Sequence, residues 1–153
     1  MKKALVMLMI GLTAFIACKK EKKFDAAAQA AADDAAIQAY IQANNLTNVT
    51  KDASGLYYQV ITPGTGSYPS STSTVSVNYS GKLLNGTVFD SGNLSNTALA
   101  GLINGWQIGI PHINTGGRIL LLVPSALGYG NNDNGSIPAN SVLIFTIDLL
   151  GYK

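Results

Sequence analysis

Residues Val75–Gly81 alternate between apolar and polar side chains, and an Asn-Gly pair follows them at Asn85-Gly86. Alternate side chains of an extended strand point to opposite faces, so Val77 and Tyr79 are expected on the same face. Asn-Gly is a preferred pair for a two-residue type I′ turn, because both turn positions need a positive φ. The pattern therefore predicts a β-hairpin with one buried face and a return strand that contains Val88.

Further apolar segments predict more strands and one short helix. The strand patterns are Leu56–Ile61, Ile119–Val123 and Val142–Leu150. The stretch Trp106–Ile110 is compatible with a helix of about one turn and a half, because Pro111 directly after it cannot continue the helical hydrogen bonding. Together these elements predict an α+β fold in which an antiparallel β-sheet curls over one short helix.

A longer helix is predicted before the sheet. Asp25–Asn44 is rich in alanine and free of glycine and proline. Its apolar stripe is thin, since only Ile37, Tyr40 and Ile41 share a face, so we interpret it as a spacer docked at its C-terminal end. Removing such a spacer is expected to leave the following domain functional. Association of two copies through this helix is an open alternative.

The hydrophobic pattern changes from helical to alternating near Lys51, which predicts a domain boundary there.

The N-terminus has the composition of a secretory signal. Two lysines precede an apolar stretch at residues 4–17, which is shorter than the roughly 20 residues of a membrane-spanning helix. Phe15–Cys18 resembles a bacterial lipobox, with the only cysteine of the chain placed for lipid attachment. We predict a signal peptide at residues 1–17, a lipid-anchored tether and helical spacer at 18–50, and a folded domain at 51–153. A chance cysteine at the end of the signal is the alternative.

This N-terminus predicts a location in the bacterial cell envelope, with the lipid anchor attaching the protein to a membrane. Lys19 follows the cysteine, whereas an aspartate there resembles an inner-membrane retention signal, so we expect the outer membrane, with the protein facing the periplasm. A single cysteine excludes an internal disulfide. The lysines after Cys18 fit a membrane-proximal tether that touches anionic headgroups.

Charge and motifs exclude several functions. From Lys51 onward, four basic side chains balance four acidic ones. A domain without net positive charge lacks the basic surface that binds nucleic acid. The chain has one histidine, His112, and no metal-ligand cluster, catalytic triad or phosphate-binding loop. We therefore expect neither a metal nor a cofactor.

Four ordered segments resemble the FKBP-type peptidyl-prolyl cis-trans isomerases. Val75–Gly81 is similar to the family's V-x-V-x-Y-x-G segment, Gly86–Ser91 to G-x-x-F-D-S, and Leu102–Trp106 to V-I-x-G-W. The fourth segment combines the tyrosine turn Leu127–Gly130 with the apolar strand Ile137–Phe145. The resemblance implies an FKBP-like fold and an isomerase domain at residues 51–153.

The resemblance also implies a substrate site. Trp106 would form the floor of a bowl for the proline ring, with walls formed by Tyr79, Phe89, Leu102, Ile137 and Phe145. The substrate-holding donors would be the Tyr129 hydroxyl and the Ile103 backbone N–H, and Asp90 would be the acidic residue beside the bowl. Phe89 and Phe145 would serve equally well as ordinary core residues, since buried aromatic side chains are usually structural.

The implied partners are unfolded or proline-containing polypeptides, and rapamycin-like macrolides that occupy this bowl in the family. Ser91–Gly101 departs from the family pattern because it is short and offers only Leu94 and Leu99 as apolar residues. An open wall would admit water to a site that works by excluding it, so we expect reduced isomerase activity. The alternative is a non-catalytic FKBP-like chaperone that grips apolar peptide segments.

Overall fold

Six antiparallel strands form one sheet in the computed structural model, which describes residues 23–153. In chain order these are β1 (Thr50–Lys51), β2 (Tyr57–Thr62), β3 (Thr74–Leu83), β4 (Val88–Ala98), β5 (Arg118–Val123) and β6 (Leu143–Tyr152). Their order across the sheet is β1-β2-β5-β6-β3-β4. The predicted signal peptide and Cys18 lie outside the described residues.

Two α-helices accompany the sheet, α1 (Ala26–Ala43) and α2 (Asn104–Gly109). Three short 3-10 turns occupy Leu99–Gly101, Ile110–His112 and Ser125–Leu127. Within the part of the chain that the structure describes, no helix is long and apolar enough to span a bilayer. The predicted α+β class, with a sheet over one short helix and a further helix before it, is confirmed.

The predicted hairpin joins β3 to β4, but its predicted turn type is wrong. The Leu83 N–H donates to the Thr87 carbonyl at 2.9 Å, which leaves three residues in the loop. Only Gly86 has a positive φ, 89°, whereas a type I′ turn would also need one at Asn85. The Asn85 side chain instead accepts the Thr87 N–H at 3.0 Å, so this asparagine stabilises the turn through its carboxamide.

The segment that departs from the family pattern continues the hairpin as a strand. β4 pairs with β3 as far as Ala98, opposite Thr74, with an irregularity in register between Val75 and Val77. Leu94 packs against the core, and Leu99 in the following 3-10 turn is fully buried. This segment therefore completes the edge strand β4 and contributes Leu94 and Leu99 to the core.

The central strands bury apolar side chains on both faces of the sheet, as the nearly continuous apolar run of β5 indicates. One face packs against α2. The other face is covered by α1 and its following loop, and its buried residues form a second cluster that consists of Ile37, Tyr57, Leu120, Leu122, Val142 and Ile144. The sheet is thus the middle of three layers, and its two helices lie on opposite faces.

Two glycines allow α2 to lie close to β5. A Cβ at Gly105 would be 2.6 Å from Val123 Cγ1, and one at Gly109 would be 2.5 Å from Leu121 Cδ2. Residues four apart share one side of a helix, so both glycines face the sheet. This close approach fixes the distance between Trp106 and the sheet. Trp106 lies between the two glycines in sequence and is 4 % exposed.

The first helix is capped and docked. The Asp25 carboxylate accepts the N–H groups of Ala27 and Ala28 at 3.0 and 3.1 Å, as a helix N-cap does. Ile37 is fully buried against the sheet, and Tyr40 and Ile41 pack beside it, as the predicted stripe requires.

Polar contacts add to this docking in the middle of α1. The Asp34 carboxylate lies 2.6 Å from Lys51 Nζ and accepts the Tyr57 hydroxyl at 2.7 Å. Its hydrogen bonds to Lys51 and Tyr57 lower the pKa of Asp34 below its usual value. The helix therefore lies along the domain over more of its length than the apolar stripe alone predicts.

Candidate active site

A cavity of about 220 Å³ opens between α2, the β3–β4 hairpin, β6 and the loop after β5. Eight of the nine predicted site residues line it, and Leu94 is the additional lining residue. The full set is Tyr79, Phe89, Asp90, Leu94, Leu102, Ile103, Trp106, Tyr129 and Phe145. Ile137 does not line the cavity. It is 6 % exposed and packs in the core that also contains Trp106.

The aromatic rings of the cavity are packed edge to face. The Trp106 ring centroid lies 5.2 Å from that of Tyr79 and 5.2 Å from that of Phe145, at interplanar angles of 73° and 88°. Phe89 meets Phe145 at 5.6 Å and 86°. These are the separations and orientations that aromatic pairs prefer, so each ring restrains its neighbour. The floor is consequently rigid and apolar before any ligand enters.

Gly81 makes room for this cluster. A Cβ at this position would lie 2.6 Å from Phe89 Cζ and 2.7 Å from Phe145 Cε1. Strand alternation in β3 places Gly81 on the same face as Tyr79, two residues before it. Only glycine leaves the space that both phenylalanine rings occupy. Gly81 is the last residue of the Val75–Gly81 segment, which resembles the family pattern, but Gly81 was not among the predicted site residues.

The Tyr79 hydroxyl donates a hydrogen bond to Asp90 Oδ2 at 2.8 Å. Burial, and then this hydrogen bond, raise the pKa of Tyr79 above its usual value. The hydroxyl therefore stays protonated at neutral pH, and its proton is directed to Asp90. This pair restrains the Tyr79 ring and leaves other groups to bind a ligand.

Besides the buried indole N–H of Trp106, two further donors at the cavity have no acceptor among residues 23–153. One is the hydroxyl of Tyr129, whose side chain is 38 % exposed, and the other is the backbone N–H of Ile103 at the start of α2. The first N–H groups of a helix lack partners within the helix, which leaves that of Ile103 available. A ligand in the cavity could accept hydrogen bonds from both.

Among residues 23–153, no group of three or more His, Cys, Asp or Glu side chains could hold a metal ion. His112 does not line the cavity, and its ring stacks on Tyr58 at 4.1 Å and 11°. The arrangement can bind a small apolar ring and donate hydrogen bonds to the peptide backbone beside it. A peptide-binding or peptide-isomerising domain needs these two features.

Comparisons with known proteins agree with this class. The family model of the FKBP-type peptidyl-prolyl cis-trans isomerases matches residues 66–150. The chain belongs to this family. FkpA from Buchnera aphidicola, a curated member, is 42 % identical over 115 residues, which cover 72 % of this chain and 46 % of that protein. The chain thus spans less than half the length of that relative.

Solved structures show the same similarity. The crystal structure of FkpA from Escherichia coli matches with a TM-score of 0.72 at 36 % identity, covering 83 % of this chain and 62 % of that one. A peptidyl-prolyl cis-trans isomerase from Pseudomonas syringae matches with a TM-score of 0.70 at 27 % identity, covering 86 % of this chain and 98 % of that one. The fold assigned to residues 23–153 is therefore that of FKBP-type proteins.

Proposed function

We propose that this protein catalyses the cis-trans isomerisation of prolyl peptide bonds in unfolded or newly secreted polypeptides of the bacterial envelope. The observation that supports this most directly is the cavity floored by Trp106, with the Tyr129 hydroxyl, which has no hydrogen-bond partner in the described part of the chain, at its edge. Family membership supports the same reaction. The proline ring would rest on Trp106, while Tyr129 and the Ile103 N–H bind the flanking backbone.

The chemistry needs no bond to break. Rotation about the imide bond faces a barrier of roughly 18–20 kcal/mol, because resonance keeps that bond planar. In the twisted transition state the nitrogen lone pair no longer conjugates with the carbonyl, so charge separation falls and a water-poor site is favourable. A preformed apolar bowl with a few fixed donors therefore stabilises the transition state more than the planar ground state.

The alternative function is a chaperone module that binds apolar segments without isomerising them. The short segment Ser91–Gly101 favours this alternative, because a wall left open there would admit water. Leu94 from this segment lines the cavity, so an apolar side chain occupies that wall. This favours the enzyme over the chaperone.

The test is a protease-free measurement of cis-trans relaxation in a proline tetrapeptide with the full chain. We expect faster relaxation, inhibition by rapamycin, and quenching of Trp106, the only tryptophan, on rapamycin binding. Unchanged relaxation together with suppressed aggregation of an unfolded protein would replace the enzyme by the chaperone.

Tyr129→Phe should lower kcat/KM modestly. It removes one neutral hydrogen bond to the substrate backbone, which typically contributes about 0.5–1.5 kcal/mol. Tyr68→Phe is the matched control, because Tyr68 is 60 % exposed and does not line the cavity. Equal activities of the two variants in the tetrapeptide assay would remove Tyr129 from the proposed mechanism.

We also propose that the mature protein begins at Cys18 and is anchored through it to the outer membrane, facing the periplasm. The apolar run that ends at Ala17-Cys18 supports this. Cys18→Ser should block processing or release the protein from the membrane fraction, as seen by fractionation and gel mobility. Lys20→Ser, two residues further on, should behave as wild type. Unchanged membrane association and mobility of Cys18→Ser would refute the anchor.

A further inference from the structure

The middle of α1 carries a buried carboxylate that the candidate active site does not contain. Asp33 is 3 % exposed. Its Oδ2 accepts the backbone N–H of Ser125 at 2.8 Å and the Ser125 hydroxyl at 2.7 Å, and its Oδ1 accepts Gln29 Nε2 at 2.7 Å. A buried carboxylate is unfavourable unless its oxygens are hydrogen-bonded, and here both are. The contact joins residues that are 92 positions apart in the chain.

Ser125 in turn organises the turn that carries Tyr129. The Ser125 carbonyl accepts the N–H of Gly128 at 3.0 Å and that of Gly130 at 2.8 Å, so it is bonded on both sides of Tyr129. Gly130 has a φ of 67°, a conformation that suits glycine. Ser125 therefore connects Asp33 to the backbone on either side of the exposed tyrosine.

A cavity of about 460 Å³ borders the contact between α1 and this turn, and Asp33, Ser125, Leu127 and Gly130 are among the residues that line it. The helix also lies next to the 3-10 turn Ser125–Leu127. The two hydrogen bonds from Ser125 to Asp33 are the polar part of this contact, and both end on a single residue of the helix.

We infer that Asp33 is a positioning residue for isomerisation, through which α1 holds the Tyr129 turn in its binding conformation. The inference rests on the proposed role of Tyr129 as a substrate donor. It also makes α1 part of the working isomerase instead of a dispensable spacer. Asp33 touches no substrate, so its effect on the reaction passes through Ser125 to Tyr129.

The matched control is the neighbouring aspartate on the same helix. Asp34 docks α1 through Lys51 and Tyr57 and forms no hydrogen bond with Ser125. In the full chain, Asp33→Ala should lower kcat/KM about threefold to fivefold and speed hydrogen exchange at the Gly128 and Gly130 amides. Asp34→Ala should leave both quantities within twofold of wild type. Asp33→Asn keeps one oxygen acceptor for Ser125 and should restore most of the activity.

A double variant separates positioning from general stability. If Asp33 acts through Tyr129, adding Asp33→Ala to Tyr129→Phe should cost no further activity, whereas independent effects would multiply. The inference is overturned by multiplied losses, by equal losses for Asp33→Ala and Asp34→Ala, or by unchanged exchange at Gly128 and Gly130. Absence of activity in the wild-type chain would refute the proposed function, and the exchange rates would still decide whether Asp33 positions the turn.

Discussion

Trp106→Ala should lower kcat/KM for prolyl isomerisation by about a hundredfold, which corresponds to a loss of about 2.7 kcal/mol in transition-state stabilisation. Trp106 is 4 % exposed and packs edge to face with both Tyr79 and Phe145. Its removal takes away the apolar floor, admits water beside the proline ring and frees two neighbouring rings. Removing a buried aromatic side chain also costs roughly 3–5 kcal/mol of folding stability.

The measurement is tetrapeptide relaxation at a temperature where far-ultraviolet circular dichroism shows that the variant is folded. Trp106→Phe is the informative companion. The indole N–H is buried and has no hydrogen-bond partner among the described residues, so losing it should cost little. Phenylalanine keeps an apolar ring on the floor, and we expect activity within tenfold of wild type. Full activity of folded Trp106→Ala would rule out a bowl with Trp106 as its floor.

Local sequence patterns predicted five of the six strands and the short helix, because each pattern reports the periodicity of one buried face; the two-residue strand β1 was not predicted. They could not predict that β4 would continue through Ser91–Ala98. That stretch is polar, and its extension follows from backbone pairing with β3. The turn at Asn85 was predicted from a pair preference, whereas its conformation depends on the hydrogen bond from Thr87 N–H to the Asn85 side chain.

Most of the candidate site, like most of the fold, could be predicted from the sequence. The residues brought together at the cavity came from segments that resemble a known family, and the fold then placed eight of them around one space. Asp33 could not be found in this way. An aspartate on an alanine-rich helix looks solvent-exposed, and its partner Ser125 is far along the chain. Only the tertiary contact of α1 with the loop after β5 gives it a role.

Gly81→Ala should lower the free energy of unfolding by about 1–3 kcal/mol, the usual cost of overpacking a core. The added methyl group would overlap the rings of Phe89 and Phe145, at 2.6 and 2.7 Å. These rings are held by edge-to-face contacts, and Phe145 also contacts Trp106, so the strain should reach the floor of the cavity. We expect kcat/KM to fall tenfold or more.

Gly92→Ala is the control for Gly81→Ala, because it adds a methyl group to the same hairpin without overlapping the rings of Phe89 and Phe145. Gly92 lies in β4 opposite Tyr79, and its nearest neighbour, the Tyr79 hydroxyl, would be 3.9 Å from the new Cβ, an ordinary contact. Neither glycine has a positive φ, so backbone strain does not separate the two variants. Denaturant unfolding and the tetrapeptide assay should give near-wild-type values for Gly92→Ala. If both variants lose stability and activity equally, the site does not depend on the space at Gly81, because the hairpin would then tolerate no side chain at either position.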